Sequence, residues 1–271
     1  MSNFFENKIV VITGASSGIG LETALEALNR NARVVFAARN LEIVKAELNS
    51  RKILEEKYLL IKTDVAIESD CKNLMEKTIE KFGTIDVLIN NAGISMRASF
   101  ADLDLSVLKK LMDVNYWGTV YCCKYALPQL IKNKGAIAGI SSVAGFKGLP
   151  GRTGYSSSKF AMNGFLETLR LELMEKKVSV SIICPGYTNS NIRNTALNNE
   201  GKTQNESPLD ESKLMSAEAV GKEILFAVEH KESFKVLTIL GKATFWLNKF
   251  FPKFIDKQTL KLIKKESGSP I

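Results

Sequence analysis

The chain is a succession of short runs that are apolar at nearly every position, separated by longer stretches in which apolar residues recur every three or four positions. The short runs are KIVVIT (8–13), ARVVFAA (32–38), YLLIK (58–62), DVLIN (86–90), GAIAGISS (135–142), VSVSIIC (178–184) and FKVLTIL (234–240). Continuous apolar runs, as opposed to alternating ones, predict strands buried on both faces, and therefore a parallel sheet. The intervening stretches 18–30, 40–56, 67–82, 103–133, 153–176 and 216–230 are long enough to be crossover helices. The predicted fold is α/β: one doubly wound, Rossmann-type domain over 1–241 with a mostly parallel seven-stranded sheet. In such sheets ligands bind at the carboxyl ends of the strands.

Two stretches break this rhythm. Residues 187–215 are polar and rich in Asn, Ser, Thr and Glu. A loop of that length inside a compact domain is either a substrate lid or a plain insertion, and the pattern leaves both open. The second stretch is the extension 242–271. Its 242–265 portion holds seven lysines and one acid, Asp256, for a local charge of +6. Lys249, Lys253, Lys257, Lys261 and Lys265 recur every four residues, with Trp246, Phe250 and Phe254 on a neighbouring line. This predicts a basic amphipathic helix, restarted at Pro252. Such a helix can contact an anionic membrane surface, or pack its aromatic line on the domain or on a second subunit; the usual behaviour of amphipathic helices in soluble proteins favours packing.

Composition changes the picture in a few places. At 271 residues and 45% hydrophobic, the chain can bury one large core. Its net charge is +8, most of it in the extension, with no motif that reads nucleic acid. Cys71, Cys122, Cys123 and Cys184 have neither zinc nor redox spacing, and His230 is the only histidine, so no metal site and no histidine-based triad is expected. No apolar run reaches bilayer-spanning length and the N-terminus carries no signal-like segment, which makes the cytoplasm the expected compartment.

Three clusters carry chemistry. The first strand runs into TGASSGIG (13–20), whose Gly14, Gly18 and Gly20 allow a tight turn where peptide N–H groups and a helix N-terminus approach a pyrophosphate. After the second strand the chain reads AARN. An acid there would hold a ribose 2′-hydroxyl, whereas Arg39 can pair with a 2′-phosphate, which favours NADP(H) over NAD(H); alone, Arg39 is equally an exposed arginine at a strand end. In GYSSSKF, Tyr155 and Lys159 stand four residues apart, so on a helix they share a face, and a protonated lysine there favours the phenolate. Alone, that pair is also an ordinary solvated helix face. Ser142, at the end of the fifth strand, can meet both side chains if the following loop folds back. Read singly, Ser142 is also a cap and Asn115 a surface amide.

The ordered set TGASSGIG, TDV (63–65), NNAG (90–93), Asn115 in MDVNYWG, ISS (140–142), YSSSK (155–159) and PG (185–186) resembles the short-chain dehydrogenase/reductase family across about 7–240. The resemblance implies Tyr155 as general acid in carbonyl reduction or base in alcohol oxidation, with Ser142 hydrogen-bonding the substrate oxygen. It implies that Lys159 binds the nicotinamide ribose and lowers the Tyr155 pKa, and that Asn115 holds a relay water. For cofactor contacts it implies Gly14, Ser16, Ser17, Gly18, Ile19 and Gly20 at the first turn, and Asp64 with Val65 at the adenine. Asn91, Ala92 and Gly93 follow along the adenosine half, Pro185 and Gly186 beside the nicotinamide. The family's carboxamide-binding threonine position is filled by Ser190, with Thr188 two residues early. Gly139 departs from the family's usual larger residue.

The expected activity is that of an NADP(H)-dependent oxidoreductase interconverting a ketone or aldehyde and an alcohol. Similarity to the branch with 11-beta-hydroxysteroid dehydrogenases and ketosphinganine reductases suggests an apolar, steroid- or lipid-like substrate. A 3-oxoacyl-[acyl-carrier-protein] reductase and a non-catalytic NADP(H)-binding protein are the alternatives, and a homodimer or homotetramer is implied.

Overall fold

The computed structural model of the protein describes residues 4–189, 191–206, 214–266 and 268–269. Every apolar run of the sequence forms a strand. In chain order these are β1 (Ile9–Thr13), β2 (Arg33–Ala38), β3 (Tyr58–Lys62), β4 (Val87–Asn90), β5 (Ala136–Ile140) and β6 (Ser179–Cys184). Two short strands follow, β7 (Thr188–Asn189) and β8 (Met215–Ser216), and then β9 (Phe234–Val236). The large sheet has the order β3-β2-β1-β4-β5-β6-β9 with every pair parallel, while β7 and β8 pair only with each other. The order reverses between β1 and β4, and a ligand crevice opens at such a reversal.

Helices cover both faces. One face carries α1 (Gly18–Asn29), α2 (Glu42–Ser50) and α7 (Ala217–Glu229); the other carries α3 (Glu68–Phe82), α5 (Gly118–Asn133) and α6 (Thr153–Glu172), with α4 (Leu105–Met112) packed beside α6. Val11, Leu88, Ile137 and Ile182 point to the α3/α5/α6 side, and Val10, Ile12, Ile89 and Ile183 to the α1/α7 side. This two-sided burial is why the strands are apolar at every position.

Three elements differ from the sequence pattern. The single helix expected over 103–133 is interrupted by a π turn, Asp113–Trp117, between α4 and α5. The helix expected over 40–56 stops at Ser50, where Lys52 turns left-handed at φ +55°. The strand expected over 234–240 ends at Val236, because the Thr238 hydroxyl caps a new helix by accepting from Gly241 N at 3.1 Å. That helix, α8 (Ile239–Phe250), and α9 (Pro252–Ile263), which has the proline in its first turn, form the C-terminal extension, so it starts at Ile239 and not at 242.

The aromatic line of the extension does not pack on the domain. Trp246, Phe250 and Phe254 are all more than half exposed, and the side chains that anchor the two helices are Phe245, Ile255 and Ile263. Phe245 meets Phe146 edge-on at 5.1 Å between ring centres and lies 5.1 Å from Phe234. One register step separates Phe245 from the predicted line, and the helix uses that step to face inward.

The polar stretch 187–215 is partly tied down. Leu197 forms bridges with Met96 and with Thr203, and its side chain is buried with Met96, Val107 and Leu111 against Tyr155. Gln204 donates to the carbonyls of Arg97 and Leu197 at 2.8 and 3.0 Å.

Candidate active site

The ends of β1 and β4 are clipped together by hydrogen bonds. Thr13 Oγ1 accepts from the backbone N–H groups of Asn91 and Ala92, both at 3.0 Å, and Asn91 Nδ2 donates to the carbonyls of Thr13 (2.9 Å) and Gly14 (3.1 Å). The first turn of α1 lies so close to this clip that a Cβ on Gly20 would stand 2.3 Å from Asn91 Nδ2. Only glycine lets the helix N-terminus come this near.

Over these strand ends runs a cleft of about 490 Å³. Gly14, Ser16, Ser17, Gly18, Ile19 and Gly20 line it after β1, Arg39 and Asn40 after β2, and Asp64 and Val65 after β3. Asn91, Ala92 and Gly93 line it after β4, Ser142 after β5, Tyr155 and Lys159 on α6, and Pro185, Gly186 and Thr188 after β6. The shape and donors fit an elongated dinucleotide: peptide N–H groups and a helix N-terminus for its pyrophosphate, and an exposed guanidinium at one end for a further anion. Thr188 is on the wall and buried, with its hydroxyl donating to Gly186 O at 3.3 Å, whereas Ser190 falls outside the described residues.

The position of α6 depends on Gly139. A Cβ there would lie 2.2 Å from Leu166 Cδ1 and 2.8 Å from Met162 Cε, so the helix sits closer to β5 than any other residue would allow. The departure at Gly139, which had no evident role in the sequence, brings Lys159 to the strand. Lys159 is 3% exposed, and its Nζ donates to the carbonyl of Ile140 at 2.7 Å. Burial pulls the ammonium down to about 8. Its Nζ stands 6.0 Å from the centre of the Tyr155 ring.

Tyr155 behaves differently from expectation. Its pKa is raised, because burial outweighs a stabilising hydrogen bond from Ser142 and the charges of Arg152 and Arg193. The lowering expected from Lys159 is not seen: the amine is turned to Ile140 and is itself reluctant to hold its charge. Tyr155 is therefore a protonated phenol at neutral pH. Ser142 caps the short helix after β5 by accepting from Ala144 N at 3.1 Å, so the cap and the site are the same serine.

Asn115 lies behind the wall of the cleft, fully buried in the π turn. Its Oδ1 accepts from Ile94 N at 2.8 Å, and its Nδ2 donates to Ile94 O and Ser158 Oγ, both at 2.9 Å. The π turn thus directs this amide at the loop after β4 and fixes Gly93 beside Lys159. π turns recur at functional sites because the extra residue re-aims a side chain in this way.

A second, smaller cavity of about 150 Å³ shares Ser142, Tyr155, Gly186, Ile192 and Arg193 with the first. Its remaining walls include Val143, Leu149, Tyr187, Leu240, Leu262 and Ile263, mostly apolar and partly supplied by α8 and α9. Ser142 and Tyr155 stand on the boundary between the large cleft and this more apolar cavity.

The model of the short chain dehydrogenase family matches residues 8–201. The chain belongs to this family. Relatives include a Dictyostelium discoideum "Dehydrogenase/reductase SDR family protein 7-like", 33% identical over 264 residues, covering 95% of this chain and 82% of the relative. An Arabidopsis thaliana "11-beta-hydroxysteroid dehydrogenase-like 4A" is 34% identical over 250 residues, covering 92% and 82%. Among solved structures, a Burkholderia phymatum short-chain dehydrogenase/reductase in complex with NAD superposes with a TM-score of 0.81 at 21% identity, covering 95% of this chain and 97% of the other. A Burkholderia cenocepacia J2315 short chain dehydrogenase in complex with NADP gives 0.79 at 21%, covering 94% and 98%.

Within this short-chain dehydrogenase, the structure brings together every sequence-predicted site residue it describes except Asn115, which it places one layer back. Two contributions were missed. Thr13 Oγ1 was legible only as the strand residue before the glycines, and Arg152 and Arg193 carry no spacing signal toward Tyr155.

The depressed Lys159 has a measurable consequence. Below pH 8 its buried ammonium costs the folded state free energy that the unfolded chain does not lose. That cost is relieved as pH rises from about 8 toward the ordinary lysine value of 10.5, where the unfolded state binds more protons. Stability from this group therefore rises across that window, by about 3 kcal/mol at most at 1.36 kcal/mol per pKa unit. Denaturant midpoints measured from pH 7.5 to 10 in the wild type and in Lys159→Met should converge as pH rises, the variant being the more stable at pH 7.5.

Proposed function

We propose that the protein is an NADP(H)-dependent oxidoreductase that reduces the carbonyl of an apolar, lipid-like substrate. The observation that carries this reading is the shared boundary: Ser142 and Tyr155 line both the polar cleft and the apolar cavity. Nicotinamide complexes of structural neighbours and the steroid-dehydrogenase-like relatives support the two halves of it.

The reduced nicotinamide, when bound, supplies the hydride. The chain's own residues manage the oxygen. Ser142 hydrogen-bonds the substrate oxygen and Tyr155, protonated at neutral pH, donates its proton to it. The resulting phenolate is stabilised by the Ser142 hydrogen bond and by the charges of Arg152 and Arg193. Lys159, titrating near 8, can give up a proton at neutral pH to restore the phenol. Asn115 keeps the Ile94–Gly93 wall against that amine. Lys159 and Tyr155 together hold the nicotinamide ribose, and Thr188 its carboxamide. The choice of NADP(H) rests on Arg39, exposed at the end of β2 and lining the cleft where the ribose 2′-phosphate would lie.

The exposed aromatic line and its lysines support an enzyme that rests on an anionic membrane surface. Lys249 sits over the rings of Phe245 and Trp246 at 4.3 and 4.9 Å, and all five lysines of the four-residue repeat are exposed beside Phe250 and Phe254. Among the described residues no helix is long and apolar enough to cross a membrane.

Three outcomes test this reading. Tyr155→Phe should lower carbonyl turnover, followed by NADPH absorbance, by about 10²- to 10⁴-fold while NADPH still binds in a fluorescence titration; full activity would remove Tyr155 from the mechanism. Arg39→Asp should reduce kcat/KM for NADPH relative to NADH by about 10- to 100-fold, the worth of a charge-assisted hydrogen bond. The intact protein should co-sediment with phosphatidylserine-containing vesicles in low salt, and Phe250→Ser with Phe254→Ser should abolish it. Failure of the intact chain to bind, or a dimer-to-monomer change on substitution, would assign this face to a second copy instead.

A further inference from the structure

The wall of the smaller cavity carries a polar side chain used by neither the fold nor the proton transfer. Ser95, in the segment after β4, lines that cavity together with Ser142 and Tyr155, and does not line the large cleft. The residue is 7% exposed. Among the described residues its hydroxyl has no hydrogen-bond partner, yet the oxygen is not sealed into the core: it keeps accessible surface, and the surface of this residue lies on the cavity. A nearly buried hydroxyl left without a partner costs free energy, and such groups are uncommon enough to need a reason.

The backbone around Ser95 is held on both sides. Asn115 accepts from Ile94 N at 2.8 Å and donates to Ile94 O at 2.9 Å. Ser95 O accepts from Leu197 N, and Leu197 O from Arg97 N, both at 2.9 Å, which bridges the segment to the polar stretch after β6. Successive residues of an extended, bridged segment point to opposite sides. Met96 points inward onto Val107 and Leu111, so Ser95 points the other way. The cluster that Met96 and Leu197 form packs on Tyr155, which keeps Ser95 close to the phenol. Most other polar groups of this cavity are committed: Tyr187 donates to Glu266 Oε1 at 3.1 Å, Lys147 to Asn248 Oδ1 at 3.0 Å and to the Asp256 carboxylate, and Thr244 to Leu240 O at 2.8 Å. Thr259, on α9, also lacks a partner among the described residues, but it is only half-buried, where water serves it.

Resting on the reductase reading above, we propose that Ser95 is a specificity-determining residue whose hydroxyl pairs with a second oxygen of the substrate. Ser142 and Tyr155 hold the reacting oxygen, and Ser95 takes the other one. A serine hydroxyl both donates and accepts, so a carbonyl oxygen or a hydroxyl satisfies it equally. The walls around it, Val143, Leu149, Leu240, Leu262 and Ile263, are apolar. The substrate class is therefore an otherwise apolar ketone or aldehyde that bears a hydroxyl or a second carbonyl a few bonds from the reacting one, since both oxygens must lie in one cavity of about 150 Å³.

The test is calorimetric titration of the full chain in the presence of NADP+, which cannot reduce the probe. The probes are a medium-chain methyl ketone and the same ketone with a hydroxyl on the first or on the second carbon beyond the carbonyl. The wild type should bind at least one hydroxyketone about 2- to 10-fold more tightly than the parent ketone, the range for a neutral hydrogen bond. Ser95→Ala should bind all the probes alike, with the parent ketone and NADP+ held as in the wild type. Because no hydrogen bond of the fold is lost, its denaturant midpoint should equal that of the wild type. Equal or absent binding of the probes by the wild type would overturn the assignment, as would a preference that survives Ser95→Ala, or a lowered midpoint, the mark of a structural serine. Turnover with NADPH reports separately on the reductase reading. Turnover of the parent ketone with no binding preference defeats the Ser95 assignment alone, and a preference that Ser95→Ala abolishes, with no turnover of any probe, defeats the reductase reading alone.

Discussion

The arrangement of side chains over the strand ends depends on a buried hydrogen bond, from the ammonium of Lys159 to the carbonyl at the end of β5. That bond requires α6 to press against the sheet, and the contact is possible because position 139 lacks a side chain. With α6 so placed, Tyr155 is delivered to the strand ends four residues before the lysine, and Ser142 meets it from the following loop. Burial then does opposite things to the two titratable groups. It raises the phenol, which keeps its proton, and lowers the amine, which holds its charge less firmly.

The supporting layer combines Thr13 and Asn115, behind the cleft wall, with Asn91, which also lines it. Thr13 and Asn91 clip β1 to β4, so the turn that approaches a pyrophosphate is fixed relative to the loop that follows β4. The π turn aims Asn115 at the same loop from the other side. The buried Thr13 Oγ1 and both ends of the Asn115 amide find hydrogen-bond partners, which is the condition for burying them without loss of stability.

The extension acts on the opposite, apolar side. Phe245, Ile255 and Ile263 attach α8 and α9, Leu240 and Leu262 wall the smaller cavity, and Glu266 reaches Arg152 near Tyr155. The aromatic residues left outside, Trp246, Phe250 and Phe254, then form an apolar ridge flanked by lysines. A segment that reads as an appendage is also part of the site's wall.

The sequence alone determined the seven parallel strands, because two-sided burial forces apolar residues at every strand position, and it determined the glycine turn and the Tyr155/Lys159 face, because both arise within a few consecutive residues. It also carried the family, through seven short motifs in order. Tertiary structure decided what depends on distant packing. The break in the long helix around Asn115 left no mark in the apolar period, and the inward face of α8 differed by one residue from the predicted line. The sign of the Tyr155 shift followed from depth of burial and from the direction of Lys159, neither of which is a property of spacing. The partner of Arg152 lies at the far end of the chain, and only the folded molecule brings Glu266 to it.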